Sequence, residues 1–571
     1  MKVSKEKFGG WQEVLVGGKF RQETGGLETN RIEGWWMRVV VVGVGLFLSG
    51  RLMQLQIVEG SYHRQRSEEN RILSRRLAAP RGIVFDRNGI ALVRNVPDYK
   101  KEVRNDLGEV EFVQISREEA LSLSGKESGE RVFFDVGREY LLGEEMAHLL
   151  GYVAEISGDE LTDCGWGECY LGQLVGKMGV EKYYGLVIQG QSGSELLEVD
   201  ARGELLRMVG KKESVAGMDL TLAADAKLQQ KLVELLEGRK GAVVATDPKT
   251  GEVLALVSSP GFNPNVFREQ LTTNNEKEIE RLLTSEDKPF FNRALGGGFP
   301  PGSVFKVVTS IAGLETGVVD ADFEVEDTGE IRIDEYRYGN WYFDQYGKTE
   351  GLVNMVKGIK RSNDIYFYKV GEKVGPTQLA EWARYFGLGQ KTEIDLPGEI
   401  EGLVPDPEWK EKFKGERWFL GNTYHFAIGQ GDLVTTPLQI NQMTGVVANG
   451  GRWCRPTVVK VDENQVPSGK VNCHELGIKQ TNLDTVIEGM KEACSEKGTA
   501  FPFFNFSPQV ACKTGTAQHG NDKTPHAWFT VFAPIDNPEI VMTVMLEEAG
   551  EGSAEAAPVA KKALEYWFNE K

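Results

Sequence analysis

The 571 residues carry 66 Lys and Arg against 84 Asp and Glu, a formal net charge of −18, with 40% hydrophobic and 26% charged side chains. That length leaves room for about two to four domains, and the balance is that of a folded protein, not a disordered chain. The acidic excess argues against a nucleic-acid binder, which needs a basic surface for phosphates.

Residues 1–34 are hydrophilic and read as a tail ahead of the first apolar run. In the following GWWMRVVVVGVGLFLSGRLMQLQIV, the uncharged run Val39–Gly50 is 12 residues, about 18 Å of helix against the ~30 Å of a hydrocarbon core. Extended over Trp35–Val58 it reaches 24 residues and spans, provided Arg38 and Arg51 snorkel and Trp35 and Trp36 sit at an interface. A single transmembrane anchor over 35–58 is expected. The preceding tail and the lack of a small-residue cleavage site argue against a removed signal peptide. Arg64, Arg66, Arg71, Arg75 and Arg76 after the span outnumber Lys19, Arg21 and Arg31 before it, so charge alone would keep the C-terminal part in the cytoplasm.

A charged, helix-like stretch runs on to Arg76. APRGIVFDRNGIALVRN then reads as strand, Asn-Gly turn, strand. EEMAHLLGYVAEI reads as a helix. CGWGEC would close a short ring between Cys164 and Cys169, worth about 2 kcal/mol if oxidised. No second Cys or His pair stands beside it, so a metal site is the weaker reading. The six cysteines allow 15 full pairings, and spacing does not choose among them. Near Gly217 the texture changes, which divides a mixed domain, 59–216, from a C-terminal domain, 217–571. MDLTLAADAKLQQKLVELLEG is a strand entering an amphipathic helix through Asp225, and GAVVATDPKTGEVLALVSS is a hairpin. A helix-rich insertion of about 250 residues follows. QVACKTGTA, HAWFTVFAP and EIVMTVMLE are then three antiparallel strands, with APVAKKALEYWFNEK as a covering helix. Helices on an antiparallel sheet make an α+β fold.

Chemistry concentrates in three short patterns. S-x-x-K occurs at Ser4/Lys7, Ser285/Lys288 and Ser303/Lys306. Only the last opens an apolar run, after Pro300-Pro301-Gly302, where burial can act on the lysine. A serine hydroxyl needs a base, and a lysine is a base only when neutral. Lowering it from ~10.4 to about 7 takes burial and a second cation nearby. Ser303 also sits where an N-cap belongs, so capping and nucleophile readings coexist. K-T-G occurs twice: Lys249-Thr250-Gly251 is the hairpin turn, whereas Lys513-Thr514-Gly515, followed by Thr516, lies on a strand and supplies the second cation. Ser362-Asn363-Asp364 alone reads as a turn or cap.

In order and spacing these elements, with PFFNRALGGGFPPGSVFK, AIGQGDLVTTPLQ and, upstream, PRGIVFDRNG and GKMGVEKYYG, resemble the class B penicillin-binding proteins, serine transpeptidases of peptidoglycan synthesis. YGNWYFDQYGKTEG, PDPEWKEKFKGERWFLGNTYHFAIGQG and Asp364, where most of the family has Asn, are most similar to the elongation type. The resemblance implies an anchor helix, a pedestal and a transpeptidase domain. It implies that Ser303 attacks the penultimate D-alanine carbonyl of a stem peptide, that Lys306 takes its proton, and that Ser362 relays a proton to the leaving D-alanine. Asp364 acts as hydrogen-bonder or charge. Lys513 holds the substrate carboxylate with Thr514, Gly515 and Thr516 alongside, and the N–H groups of Ser303 and Thr516 form the oxyanion hole. No cofactor or metal is implied. β-Lactams would acylate Ser303. The implied partners are stem peptides, a SEDS-type glycosyltransferase and other elongation-complex membrane proteins. The substrate lies outside the bacterial cytoplasmic membrane, which overrides the arginine count and makes 1–34 a cytoplasmic tail. Cys512 precedes the K-T-G lysine where a small residue is usual, free or bonded to Cys494. The aromatic segments Trp341–Tyr346 and Trp409–Trp418 are expected as loops around the cleft.

Overall fold

The computed structural model describes residues 33–69, 71–104, 110–124, 132–162, 169–170, 172–200, 205–268, 273–461, 471–520 and 523–569. The expected tail, Ser4/Lys7 and Cys164 fall outside them. The chain divides into two compact units. The smaller comprises the chain up to Arg75 with Glu195–Gly210, and the larger comprises Arg76–Ser194 and Lys211–Lys571.

In the smaller unit, helix Glu33–Met53 continues through a wider turn, Gln54–Val58, so that Trp35–Val58 forms one apolar rod of 24 residues, none of it buried. That rod is long and apolar enough to cross a membrane. Beyond the helix Gly60–Glu69 the expected helical stretch fails. Ile72–Leu77 is a strand in a three-stranded sheet with Gly193–Val199 and Leu205–Lys212. Arg71 and Arg207 both pair with Glu198, and Arg75 with Glu195, so these arginines decorate a sheet.

In the larger unit, Val84–Phe85 and Ala91–Arg104 pair antiparallel across the Asp-Arg-Asn-Gly turn. Asp86 fixes that turn by accepting the amides of Asn88 and Ile90. The helix expected in EEMAHLLGYVAEI is cut short. Ala147–Leu150 ends at Gly151, whose φ of 76° is open to glycine, and Val153–Glu155 becomes a strand.

The C-terminal sheet is antiparallel throughout. Its strands are β1 (Gly241–Thr246), β2 (Val253–Ser259), β3 (Ala511–Ala517), β4 (His526–Ala533) and β5 (Ile540–Leu546), in the order β2-β1-β5-β4-β3. Both faces are covered, which is why the strands read as nearly continuous apolar runs. Val243, Phe529, Val531 and Val544 pack under helices α1 (Ala226–Leu236) and α7 (Ala557–Asn569). Asp225 caps α1 by accepting the amides of Lys227 and Leu228. Trp528, Phe532, Val541 and Met545 face the other way, onto α2 (Lys306–Glu315), α3 (Met355–Arg361), α4 (Asp364–Val374), α5 (Pro437–Ala448) and α6 (Gln480–Ala493). Period-two alternation thus deals each strand to two cores. Strand β3 is an edge, and its free side faces the turn that carries Ser303.

Disulfides join Cys454 to Cys473 and Cys494 to Cys512. The second ties the end of α6 to β3, one residue before Lys513.

Candidate active site

Pro301 and Gly302 stop the preceding loop, and Gly302–Phe305 form a single 3-10 turn that runs into α2. Ser303 lies inside that turn, half-buried, and its side chain caps nothing; Pro301 and Phe305 occupy the cap positions. The expected capping role is therefore corrected. Its amide stays in the first turn, among the N–H groups that a helix leaves unpaired. The turn is seated from outside by Gly429-Gln430-Gly431. Gly302 N–H donates to Gly429 O at 2.8 Å, and a Cβ on Gly429 would stand 2.1 Å from Gly302 O. Gln430 Nε2 donates to Thr516 O at 3.3 Å.

Helix α2 is buried on all sides from Lys306 to Leu314, which carries the Lys306 side chain into the core. Its Nζ donates to Asp364 Oδ1 at 2.7 Å, to Ser362 O at 2.8 Å and to Ser362 Oγ at 3.2 Å. Lys513, equally buried, donates to the same Ser362 Oγ at 2.9 Å and to Thr514 O at 2.9 Å. Two lysines thus meet on one hydroxyl. Burial pushes Lys306 below its ordinary value, and Asp364 opposes that shift. Lys513 is driven well below its ordinary value, by burial first and by the neighbouring Lys306 second. Burial disfavours the ammonium form of both lysines, Asp364 opposes it, and Ser362 Oγ stands between the two amines, within hydrogen-bond reach of each.

The middle motif is a junction between helices. Ser362 ends α3 with φ 51°, and Asn363 caps α4 by accepting Tyr366 N. A left-handed serine costs about 1–2 kcal/mol, offset here because that conformation turns both its carbonyl and its hydroxyl to the lysines. Asp364 opens α4, where a carboxylate is favoured by the helix dipole, and its Oδ2 accepts Trp341 N at 3.0 Å. The cap and the lysine contacts of Ser-Asn-Asp thus belong to different residues of the same tripeptide: Asn363 caps, and Ser362 and Asp364 meet Lys306.

On β3, Thr514 O and Thr516 O accept from Lys513 and Gln430, so both point off the free edge. Their amides point the same way, because N–H and C=O of one strand residue share a side. Gly515 lies beneath: a Cβ there would stand 3.0 Å from Val304 Cγ1 and Trp528 Cβ and 3.1 Å from Pro301 O. The Thr514 hydroxyl donates to Thr499 Oγ1 at 2.8 Å and not to the lysine cluster. The structure therefore brings together Ser303's turn, Lys306, Ser362, Asp364, Lys513 and the backbone of Thr516. Trp341–Tyr346 and Pro407–Lys414 are short helices where loops were expected, while 415–418 are irregular; Tyr346 and Phe413 stand exposed on the helices. Sequence reasoning missed Thr499 and gave no individual role to Asn340, Trp341 or Gln430, which lie in the quoted stretches YGNWYFDQYGKTEG and AIGQGDLVTTPLQ; Trp341 bonds to Asp364 and Arg361, and each of the others makes one bond to the site.

Comparison with known proteins places these features. A model of the penicillin binding protein transpeptidase domain matches residues 241–565, and one of the penicillin-binding protein dimerisation domain matches 110–222. The peptidoglycan D,D-transpeptidase MrdA of Acinetobacter baumannii is 34% identical over 92% of this chain and 85% of its own. Among solved structures, Pseudomonas aeruginosa PBP2 in complex with WCK 5153 superposes with a TM-score of 0.71 at 34% identity, over 87% of this chain and 97% of that one. Helicobacter pylori PBP2, in a complex with MreC, gives 0.76 at 26% identity, over 88% and 99%.

Proposed function

The chain belongs to the penicillin-binding protein transpeptidases, and from that premise we propose a peptidoglycan D,D-transpeptidase working through an acyl-enzyme on Ser303. The observation that carries the residue roles is the convergence of two buried lysines on Ser362 Oγ beside the Ser303 turn.

At rest one proton is shared by the lysine pair and sits on Lys306, paired with Asp364. A stem peptide brings its terminal carboxylate to Lys513. That negative charge draws the proton across: Lys306 gives one to Ser362 Oγ, and Ser362 gives its own to Lys513. Lys306 is then neutral and accepts the proton of Ser303 as Oγ attacks the penultimate D-alanine carbonyl. The oxyanion is received by the N–H groups of Ser303 and Thr516, donors worth about 3–4 kcal/mol each in comparable sites. The C–N bond breaks as Ser362 Oγ gives its proton to the leaving D-alanine nitrogen and takes one from Lys306, which leaves an ester on Ser303 and a neutral Lys306. An amine from a neighbouring stem attacks the ester, Lys306 takes its proton and returns it to Ser303 Oγ as the ester C–O bond breaks, and the cross-link is released. A β-lactam carbonyl in the same position gives an ester with no amine positioned to discharge it.

Rod elongation is the process that fits the chain's relatives and Asp364. With no polymerase domain in the matched regions, glycan strands would come from a SEDS-type glycosyltransferase, engaged through the anchor and the pedestal 59–216. The transpeptidase domain, 217–571, works outside the cytoplasmic membrane. The purified chain, given a stem peptide ending in D-Ala-D-Ala and an acceptor amine, should release D-alanine and form the amide product; D-alanine release with water as sole acceptor would make it a carboxypeptidase. Protease added to spheroplasts should digest the domain, and protection until lysis would restore the cytoplasmic side. Depletion in a rod-shaped host should give round cells, whereas filaments would move the chain to division.

A further inference from the structure

Asp327 ends the short strand Val325–Asp327 and is 2% exposed. Its carboxylate accepts four N–H groups and, among the described residues, no ion pair. Gly329 N donates to Oδ1 at 2.9 Å; Asn340 Nδ2, Asn363 Nδ2 and Glu350 N donate to Oδ2 at 2.9, 2.9 and 3.0 Å. A buried carboxylate without a cation is costly, and only a full set of donors makes it tolerable. The donors come from four separate segments, and two of them lead straight to the site. Asn340 Oδ1 accepts Asp364 N at 3.2 Å, and Asn363 stands between Ser362 and Asp364. Trp341, next to Asn340, gives its backbone N–H to Asp364 Oδ2 and its Nε1 to Arg361 O, each at 3.0 Å.

We propose that Asp327 is a positioning residue for acylation: by gathering Asn340 and Asn363 on one oxygen, it fixes the loop that aims Ser362 and Asp364 at Lys306 and Lys513. Asparagine cannot replace it. An amide at 327 has one acceptor oxygen, and its own N–H groups would face those of Asn340 or Asn363. The charged or titratable groups that bear on this arrangement are Lys306 from α2, Lys513 from β3, Asp364 and Tyr368 from α4, and the Glu350–Arg361 pair beside Asn363.

The inference rests on Ser303 being the acylated residue, and the test separates the two. The full chain is reacted with a fluorescent penicillin, and the acylation rate constant is followed against pH for wild type, Asp327→Asn, Asp364→Asn and the double variant. Asp327→Asn should lower the plateau about 10- to 100-fold, the scale of a small misplacement. It should also move the rising limb to lower pH, the direction Asp364→Asn takes, and add little in the Asp364→Asn background. Asn340→Ala, which cuts one link only, should move the limb the same way, and it decides the matter if Asp327→Asn does not fold. A wild-type pH profile in the folded variant, or an equal loss in both backgrounds, would reduce Asp327 to a fold-stabilising group and overturn the proposal. A wild type unlabelled at Ser303 would overturn the functional reading and this inference with it.

Discussion

Within the larger unit, Arg81 and Arg138 close on the buried Glu181, while elsewhere Lys306 and Lys513 close on Ser362 and Asp364. Arg81 Nη2 and Arg138 Nε reach the two Glu181 oxygens at 2.8 and 2.7 Å, and Arg138 Nη1 donates to Asn95 at 3.0 Å. Both clusters set two cationic side chains around one carboxylate, away from water. A guanidinium cannot give up its proton, so the arginine cluster stays fixed at two charges against one and acts as a clasp. A lysine in the same predicament can release its proton, burial presses both Lys306 and Lys513 below their ordinary values, and in the proposed mechanism that makes one a base and the other a cation. Burial opposes ionisation of Glu181, yet Arg138 and Arg81 hold it below the ordinary carboxyl range. On the proposed mechanism, the choice of cation, more than the degree of burial, separates the two clusters.

The sharpest way to break that comparison is to exchange the cations. Lys306→Arg keeps the charge and removes the ability to lose it, so acylation by penicillin should fall by about 10²- to 10⁴-fold, measured by stopped labelling of the folded protein. Near-normal acylation would show that another group is the base. Glu181→Gln should instead leave acylation unchanged and cost about 3–5 kcal/mol of stability, because two buried guanidiniums lose their partner; denaturant midpoints give the figure. Its sign with pH follows from the depressed Glu181: the contribution is complete above the unfolded carboxyl value, 4.5, and is lost as pH falls through the lower folded value. Wild type and variant should therefore converge on acidification.

Replacing Cys494 and Cys512 by serine opens an 18-residue separation, which the loop-entropy relation puts at about 3 kcal/mol. Thermal melts with and without reductant test it: the variant should melt below the wild type without reductant, and the two should converge when both are reduced. The smallest effect is a displacement along the pH axis. Asp364 supports the ammonium form of Lys306, so Asp364→Asn should move the rising limb of the acylation profile to lower pH. A limb that stays in place would mean that the carboxylate does not govern the base.

These clusters also mark what was legible in the sequence. Ser303, Lys306, Ser362 and Lys513 could be singled out because each belongs to a short pattern, and the structure brings Lys306, Ser362 and Lys513 together. The C-terminal sheet and α1 were readable because their periodicity and the Asp225 cap are local. Ile72–Leu77 was not: its arginines suggest a helix, and only pairing with Gly193–Val199, far away in the chain, makes it a strand. Asp327 and Asn340 were invisible for the same reason. An Asp in EVEDTGE and an Asn in YGNWY look like turn residues until folding brings four segments onto one carboxylate. The Arg81–Glu181–Arg138 clasp joins residues up to 100 apart, and no local pattern announces it.

The most direct test of the account is to react the full chain with penicillin, digest it and locate the acyl group by mass spectrometry. The lysine pair at the Ser303 turn predicts one penicilloyl group, on Ser303, absent from Ser303→Ala and nearly absent from Lys306→Arg. An adduct on another residue, or labelling undiminished in Ser303→Ala, would contradict it.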